Sequence, residues 1–330
     1  MKLNLLSAIF ALLVLPAAAQ TDSLSGQPMH EGPLTSRNSS GRVIHIFPTI
    51  EKAKELGLSP IAAGDAGPLS YHGGAVMQQA YVYQIFWIPS KLQSGGATGM
   101  SSTYKFLQEA MAEQYIGHPL HDITSQYYQV TTGKQYVHAI GVGYPAYIDT
   151  NPYPASGCSD SKTPGNCVTD AQIQAEIERV MTANHWTAAP NKLFMLYTSS
   201  GEGSCFDATN TSCAYTEYCA YHSSFGGTIY SNQPFGNPST CQLSGTPAPN
   251  DVDGDTAAST ASHELSESIT DPFGTAWYTS QGNEIGDLCA YEYGTNTWDG
   301  GKANQMWTGV YFELQMEFDN HTGACAQVGP

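Results

Sequence analysis

The chain has 330 residues with 12 Lys or Arg against 29 Asp or Glu, a formal net charge of -17. A field of that sign repels nucleic acid and anionic membrane surfaces, so neither is an expected partner. With 41% hydrophobic residues, 33 Gly, 19 Pro and 20 Tyr, the composition is that of a loop-rich globule able to build a core, not of a disordered chain.

Lys2, the apolar run 3–15 and the small-residue stretch Pro16-Ala17-Ala18-Ala19 predict a secretory signal peptide over residues 1–19, cleaved after Ala19. The apolar run is too short to span a bilayer, and no later stretch is long and apolar enough either. The expected product is therefore secreted, extracellular and free of the membrane after cleavage. Residues 20–66 read as a polar leader, a pro-segment or linker, with one weak amphipathic segment around Glu51 to Leu58. A single domain is expected over 67–330. In it, residues 81–88, YVYQIFWI, have the β-branched and aromatic content of a buried strand that ends at Pro89. Residues 101–116 carry apolar side chains at helical spacing after a Ser start, and 123–130 offer a second aromatic helix. Residues 137–144 read as a strand. Thr169-Asp170 caps a helix with Ile173, Ile177, Val180 and Met181 on one face, and residues 192–198 form another buried strand. Strands alternating with helices predict an α/β (α+β) domain with a mixed sheet, packed helices and disulfide-stapled loops. No Gly-rich phosphate loop in strand-turn-helix context is present, so no nucleotide cofactor is implied.

All eight cysteines follow the signal, and an even count in a secreted chain predicts disulfides. Cys158 and Cys167 bracket a short loop and form a local bridge. Cys289 and Cys325 tie the C-terminal segment back. Cys205, Cys213, Cys219 and Cys241 then pair among themselves in one of three connectivities. Asn38, Asn210 and Asn320 head N-glycosylation sequons, which suggests a glycoprotein.

Residues 256–270 read TAASTASHELSESIT, an Ala-rich helix with Asp255 as its N-cap, stopped by Asp271-Pro272. His263 and Glu267, four apart, project from one helix face with Cβ atoms about 5–6 Å apart and can reach one metal ion. Glu264 sits where the Glu of an HExxH metallopeptidase acts as general base, so it is the candidate catalytic residue. The pattern is HExxE, in which a carboxylate replaces the second imidazole. Zinc accepts that exchange, while the added negative charge leans toward Mn²⁺ or Ca²⁺. The third ligand is expected from Asn283-Glu284-Ile285-Gly286-Asp287, with Glu284 first and Asp287 second; His72 and His222 are lower candidates. Asp271 lies about 12 Å along the helix from His263, too far to share its ion, and caps or turns the chain instead. Asp251, Asp253 and Asp255 imitate the start of a calcium loop, but position 12 is Ser262, so helix capping is the better reading. A helix in which His263 and Glu267 merely pair with each other needs no metal.

YHGGAVM from Tyr71 to Met77, the strand VYQIFWIP, Cys205, YCAYHSSF from Tyr218 to Phe225, DPFGTAWY from Asp271 to Tyr278, and Cys289 and Cys325 together resemble the phosphate-induced protein 1 family, the EXORDIUM-like proteins of plant cell walls, over residues 67–328. That resemblance implies an extracellular, cell-wall or growth-related protein without an established catalytic mechanism. HELSE is similar instead to the active helix of zincin metallopeptidases, which implies a microbial, peptidase-like branch. Two functions are thus expected in competition. One is a secreted metal-dependent peptidase acting on proteins or peptides, with Tyr-rich loops between Cys205 and Cys241 shaping its cleft. The other is a non-catalytic module that binds a cell-wall component or another protein through exposed Tyr and Trp.

Overall fold

Two apolar runs organise the molecule. Ala80–Trp87 and Lys192–Thr198 are neighbouring parallel strands whose side chains alternate between layers: Val82, Phe86, Leu193, Met195 and Tyr197 face one core, and Tyr83, Ile85, Trp87, Phe194 and Leu196 the other. Covered on both faces, such strands show no polar alternation in sequence. The computed structural model describes residues 28–58, 68–138, 140–209 and 212–330. The signal peptide read at 1–19 and the sequon at Asn210 lie outside the described residues.

The sheet comprises β1 (Thr35–Arg37), β2 (Val43–Pro48), β3 (Ala80–Trp87), β4 (Gly141–Gly143), β5 (Tyr147–Asp149), β6 (Lys192–Thr198), β7 (Tyr218–Phe225) and β8 (Thr228–Gln233). Their spatial order is β1-β2-β7-β8-β6-β3, with β4 and β5 both paired to the outer side of β3. Strands β8, β6, β3, β4 and β5 pair in parallel, whereas β1, β2 and β7 add antiparallel pairings, so the sheet is mixed. The helices are α1 (Ile50–Glu55), α2 (Ser102–Tyr115), α3 (Asp170–Ala183) and α4 (Val252–Thr270). A capping box at Thr169 starts α3, which lays Ile173, Ile177 and Val180 on one sheet face. On the opposite face α2 brings Tyr104, Leu107, Met111 and Tyr115 against Ala257, Ala258, Ala261 and Leu265 of α4. The fold class is the expected mixed α/β arrangement. No helix among the described residues is long and apolar enough to cross a membrane.

Several local expectations need correction. The ordered fold begins before Gly67: β2 is buried along its whole length and pairs with β7, so the segment read as a leader or linker supplies part of the sheet. The helix predicted over 123–130 is a short 3-10 turn, Ile123–Gln126, followed by a strand, Tyr128–Val130. The strand predicted over 137–144 shrinks to β4. Helix α4 starts one turn earlier than predicted, because Asp251 accepts from the backbone N–H groups of Asp253 and Gly254, while Asp255 is taken up by Asn250. Tyr215, Tyr218, Tyr221 and Tyr230 are core residues and line no open cleft.

All eight cysteines are bridged, as Cys158–Cys167, Cys205–Cys213, Cys219–Cys241 and Cys289–Cys325. The central four therefore pair in sequence order, each bridge closing a short local loop. Asn38 is unsuited to carry a glycan in this fold, since its amide donates to Asp170 in the interior at 2.7 Å. The Asn320 amide is likewise engaged by the Leu69 carbonyl at 2.7 Å.

Candidate metal centre

Helix α4 is buried from Gly254 to Thr270. Three of its hydroxyls are satisfied within the helix, Ser262, Ser266 and Thr270 each donating to a carbonyl one turn back. His263, Glu264 and Glu267 have no such local solution and need tertiary partners. The sheet brings them. On β2, His45 is flanked by the core residues Ile44 and Ile46, Phe47 sets its ring 4.5 Å from that of His263, and His222 of β7 is the register partner of His45, the two rings lying 5.2 Å apart. Below α4, the turn at 284–287 is closed by the Glu284 N–H donating to Asp287 Oδ2 at 2.7 Å, and the Asp287 N–H donates to Glu267 Oε1 at 3.2 Å. The neighbouring Cys289–Cys325 bridge anchors that turn. His30 is held by its backbone N–H on the Gly274 carbonyl and by its ring against Tyr278.

Four imidazoles and five carboxyl groups thereby converge in the interior: His30, His45, His222 and His263 with Glu264, Glu267, Asp271, Glu284 and Asp287. Three overlapping triads have ligand atoms close enough to share an ion, namely His263/Glu267/Asp287, His222/Glu267/Glu284 and His30/His45/Glu284. His263 Nε2 lies 3.1 Å from Glu267 Oε2 and 3.9 Å from Asp287 Oδ1. His222 lies 3.6 Å from Glu267 Oε2 through Nδ1 and 3.5 Å from Glu284 Oε2 through Nε2. Backbone reaches the rings only through glycine: a Cβ on Gly286 would fall 2.3 Å from His263 Nδ1, and one on Gly274 3.0 Å from His45 Nε2.

Hydrogen bonds assign different duties to the two imidazoles nearest HELSE. His222 Nδ1–H donates to Glu264 Oε2 at 2.9 Å, which leaves Nε2 with its lone pair and no hydrogen-bond partner. Gln315 is oriented by donating to the Gly286 carbonyl and accepting from the Tyr291 N–H, so its amide also donates to His263 Nδ1 at 3.0 Å. That leaves the ring proton of His263 on Nε2, facing Glu267. Neither His222 Nε2 nor His263 Nε2 makes a hydrogen bond among the described residues, so each ring turns one unpartnered nitrogen into the cluster.

Glu264 also differs from the sequence-based expectation. Both of its oxygens are occupied, Oε1 by the Phe47 N–H at 3.2 Å and Oε2 by His222. It orients an imidazole where the HExxH analogy expected a base. His72 is outside the cluster, exposed and stacked on the outer face of Tyr278, whose other face covers His30. Asp271 does turn the chain, its Oδ1 accepting from the N–H groups of Thr275 and Ala276, but its Oδ2 reaches the cluster 3.4 Å from His30 Nε2. Glu267, Glu284 and Asp287 all lie in the cluster, but the carboxylate brought to His263 is Asp287, the second choice, while Glu284 stands with His222, His30 and His45. His30 and His45 were missed; the VIHIFP run was the available signal, a strand of β-branched residues with an inward His.

Burial disfavours the charged forms of His45, His222, His263, Glu264, Glu267, Glu284 and Asp287. It pushes Glu264 up to about 8 and Glu267, Glu284 and Asp287 well above the carboxylate range. It drives His222 down to about 3 and His45 well below its ordinary value. Meanwhile His222 Nε2, Glu284 Oε2 and Asp271 Oδ2 make no hydrogen bond, an unusual concentration for a buried site. A divalent cation would offset both costs, because it would accept lone pairs and neutralise the carboxylates in place of protons. The donor set of imidazole nitrogen and carboxylate oxygen suits Zn²⁺, and its oxygen richness also admits Mn²⁺.

Comparison of the chain with protein-family models, with curated proteins and with solved structures found no match. The functional reading rests on these residues.

Proposed function

We propose that this chain is a secreted metal-binding protein whose buried divalent ion is part of the fold, a non-catalytic extracellular module that acts on its partners through its surface. The observation that carries this reading is the state of Glu264. A metallopeptidase needs a free carboxylate beside an open coordination position, whereas structural sites are closed. Here Glu264 already accepts from two donors, and its oxygen on His222 Nδ1 makes the carboxylate–histidine arrangement that orients a metal ligand. His222 Nε2, Glu284 and Glu267 would hold the ion. Partner recognition falls to the surface, where Tyr144 and Ile148 at the outer edge of the sheet and Phe106 on α2 are exposed. A cell-wall component or another protein is the expected class of partner.

The peptidase reading keeps one observation of its own. Glu267 and Asp287 do assemble beside His263 on a HExxE helix, and Tyr278, the ring over His30, is partly exposed and could admit solvent. When bound, an ion there supplies Lewis acidity and a water of lowered pKa. Glu264→Gln separates the two. As an orienting residue, its replacement lowers metal affinity about 10–100-fold, and wild-type protein cleaves no unfolded substrate. If Glu264 is instead the base, wild-type protein is proteolytic, and Glu264→Gln abolishes cleavage with metal content and melting temperature unchanged.

A further inference from the structure

Glu284 presents its two oxygens to two different sets of groups. Oε2 faces His222 Nε2 at 3.5 Å, while Oε1 lies 2.9 Å from His30 Nε2 and 3.2 Å from His45 Nδ1. Asp271 Oδ2 stands behind the second set, 3.4 Å from His30 Nε2 and without a hydrogen bond of its own. These separations approach the edge of a tetrahedron with bonds of ~2.1 Å, which is roughly 3.4 Å. Two nitrogens and one oxygen are therefore gathered on the far side of Glu284 from His222, in a place the HExxE pattern does not foresee. His30 and His45 come from the N-terminal segment, Asp271 from the end of α4 and Glu284 from the turn after it, so no single local motif brings them together.

We infer that the centre holds a pair of divalent ions bridged by the Glu284 carboxylate, one on the His222 and Glu267 side and a second held by His30, His45 and the other Glu284 oxygen. The inference deepens the metal-centre reading above and depends on it. A bridging carboxylate between ions on the order of 3.5–4 Å apart is the usual arrangement of two-metal sites. It accounts for a Glu whose two oxygens point to separate imidazole groups. Asp271, whose Oδ1 is fixed by two backbone N–H groups, turns Oδ2 toward His30 from behind that set. Hydrogen bonding alone explains the cluster less well, since it directs two imidazoles to one oxygen of Glu284 and leaves Asp271 Oδ2 and Glu284 Oε2 unused in the interior.

The test is metal stoichiometry in the full mature chain equilibrated with Mn²⁺ or Zn²⁺, read by native mass spectrometry and elemental analysis, with electron paramagnetic resonance of the Mn²⁺ form. The expected wild-type result is two ions per chain and the spectrum of a spin-coupled Mn²⁺ pair. His30→Ala combined with His45→Ala should bind one ion and lose the coupling, while His72→Ala, outside the cluster, should keep two. His45→Gln alone, a milder change, should weaken the second ion about 10-fold or more and leave the first in place. One ion in the wild-type protein, or two in a folded His30/His45 double variant, would overturn the paired site while leaving the single-ion reading standing. No ion at all would overturn both.

Discussion

Stripping the metal is expected to lower the melting temperature by roughly 10 °C, and adding Zn²⁺ or Mn²⁺ back is expected to restore it. An ion that binds only the folded state stabilises it by about 4 kcal/mol at a thousandfold excess over its dissociation constant, and a domain of this size shifts by about 2–4 °C per kcal/mol. The effect is large here because the groups the ion leaves behind are buried and mutually repulsive. Burial then holds the carboxyl groups of Glu267, Glu284 and Asp287 well above their ordinary range, and neighbouring carboxylates push in the same direction, Glu264 on Glu267 and Glu267 on both Glu284 and Asp287. Thermal unfolding with and without a chelator, at matched ionic strength, reads the difference. An unchanged melting temperature in protein shown to be metal-free by elemental analysis would mean that the ion contributes nothing to the fold.

Asp170→Ala is expected to destabilise the protein by about 3–5 kcal/mol without touching the metal centre. The Asp170 carboxylate is fully buried at the first turn of α3 and accepts from four donors: Tyr221 and Tyr230 hydroxyls on Oδ1, Asn38 and Gln174 amides on Oδ2. These come from β7, β8, the N-terminal segment and α3 itself, so one side chain fastens four parts of the chain. Removing it strands two phenols and an amide in the interior, each worth about 1–3 kcal/mol when left unpaired. Chemical denaturation should show the loss, with metal content at the wild-type level. Asp170→Asn, which keeps the shape but offers one acceptor oxygen, should fall between wild type and Asp170→Ala.

How much of this was legible in the sequence depended on whether neighbours in the chain are neighbours in space. Strands β3 and β6 and helices α2 and α3 announce themselves because their patterns are local: unbroken apolar runs, helical spacing, a Thr-x-x-Gln cap. The strand β7 did not, since YCAYHSSF mixes a bridged cysteine, serines and a histidine, and its inward polar residues make sense only against the polar face of α4. The same holds at the site. His263, Glu267, Glu284 and Asp287 follow from helix geometry and a nearby turn. His45 and His222 meet because they are register partners across two strands that are 177 positions apart, a pairing that no spacing rule foresees. The partners of Glu264 were not foreseen for a related reason, because the Phe47 N–H and His222 lie on those same two strands.

The most direct test of the central claim is anomalous diffraction at the metal absorption edge, from crystals of protein purified without chelators. A peak is expected about 2.1 Å from His222 Nε2 and from Glu284 Oε2, with Glu264 still bonded to His222 Nδ1 on the opposite side of the ring. No peak inside the cluster of four imidazoles and five carboxyl groups, in crystals grown with the metal present, would contradict the account.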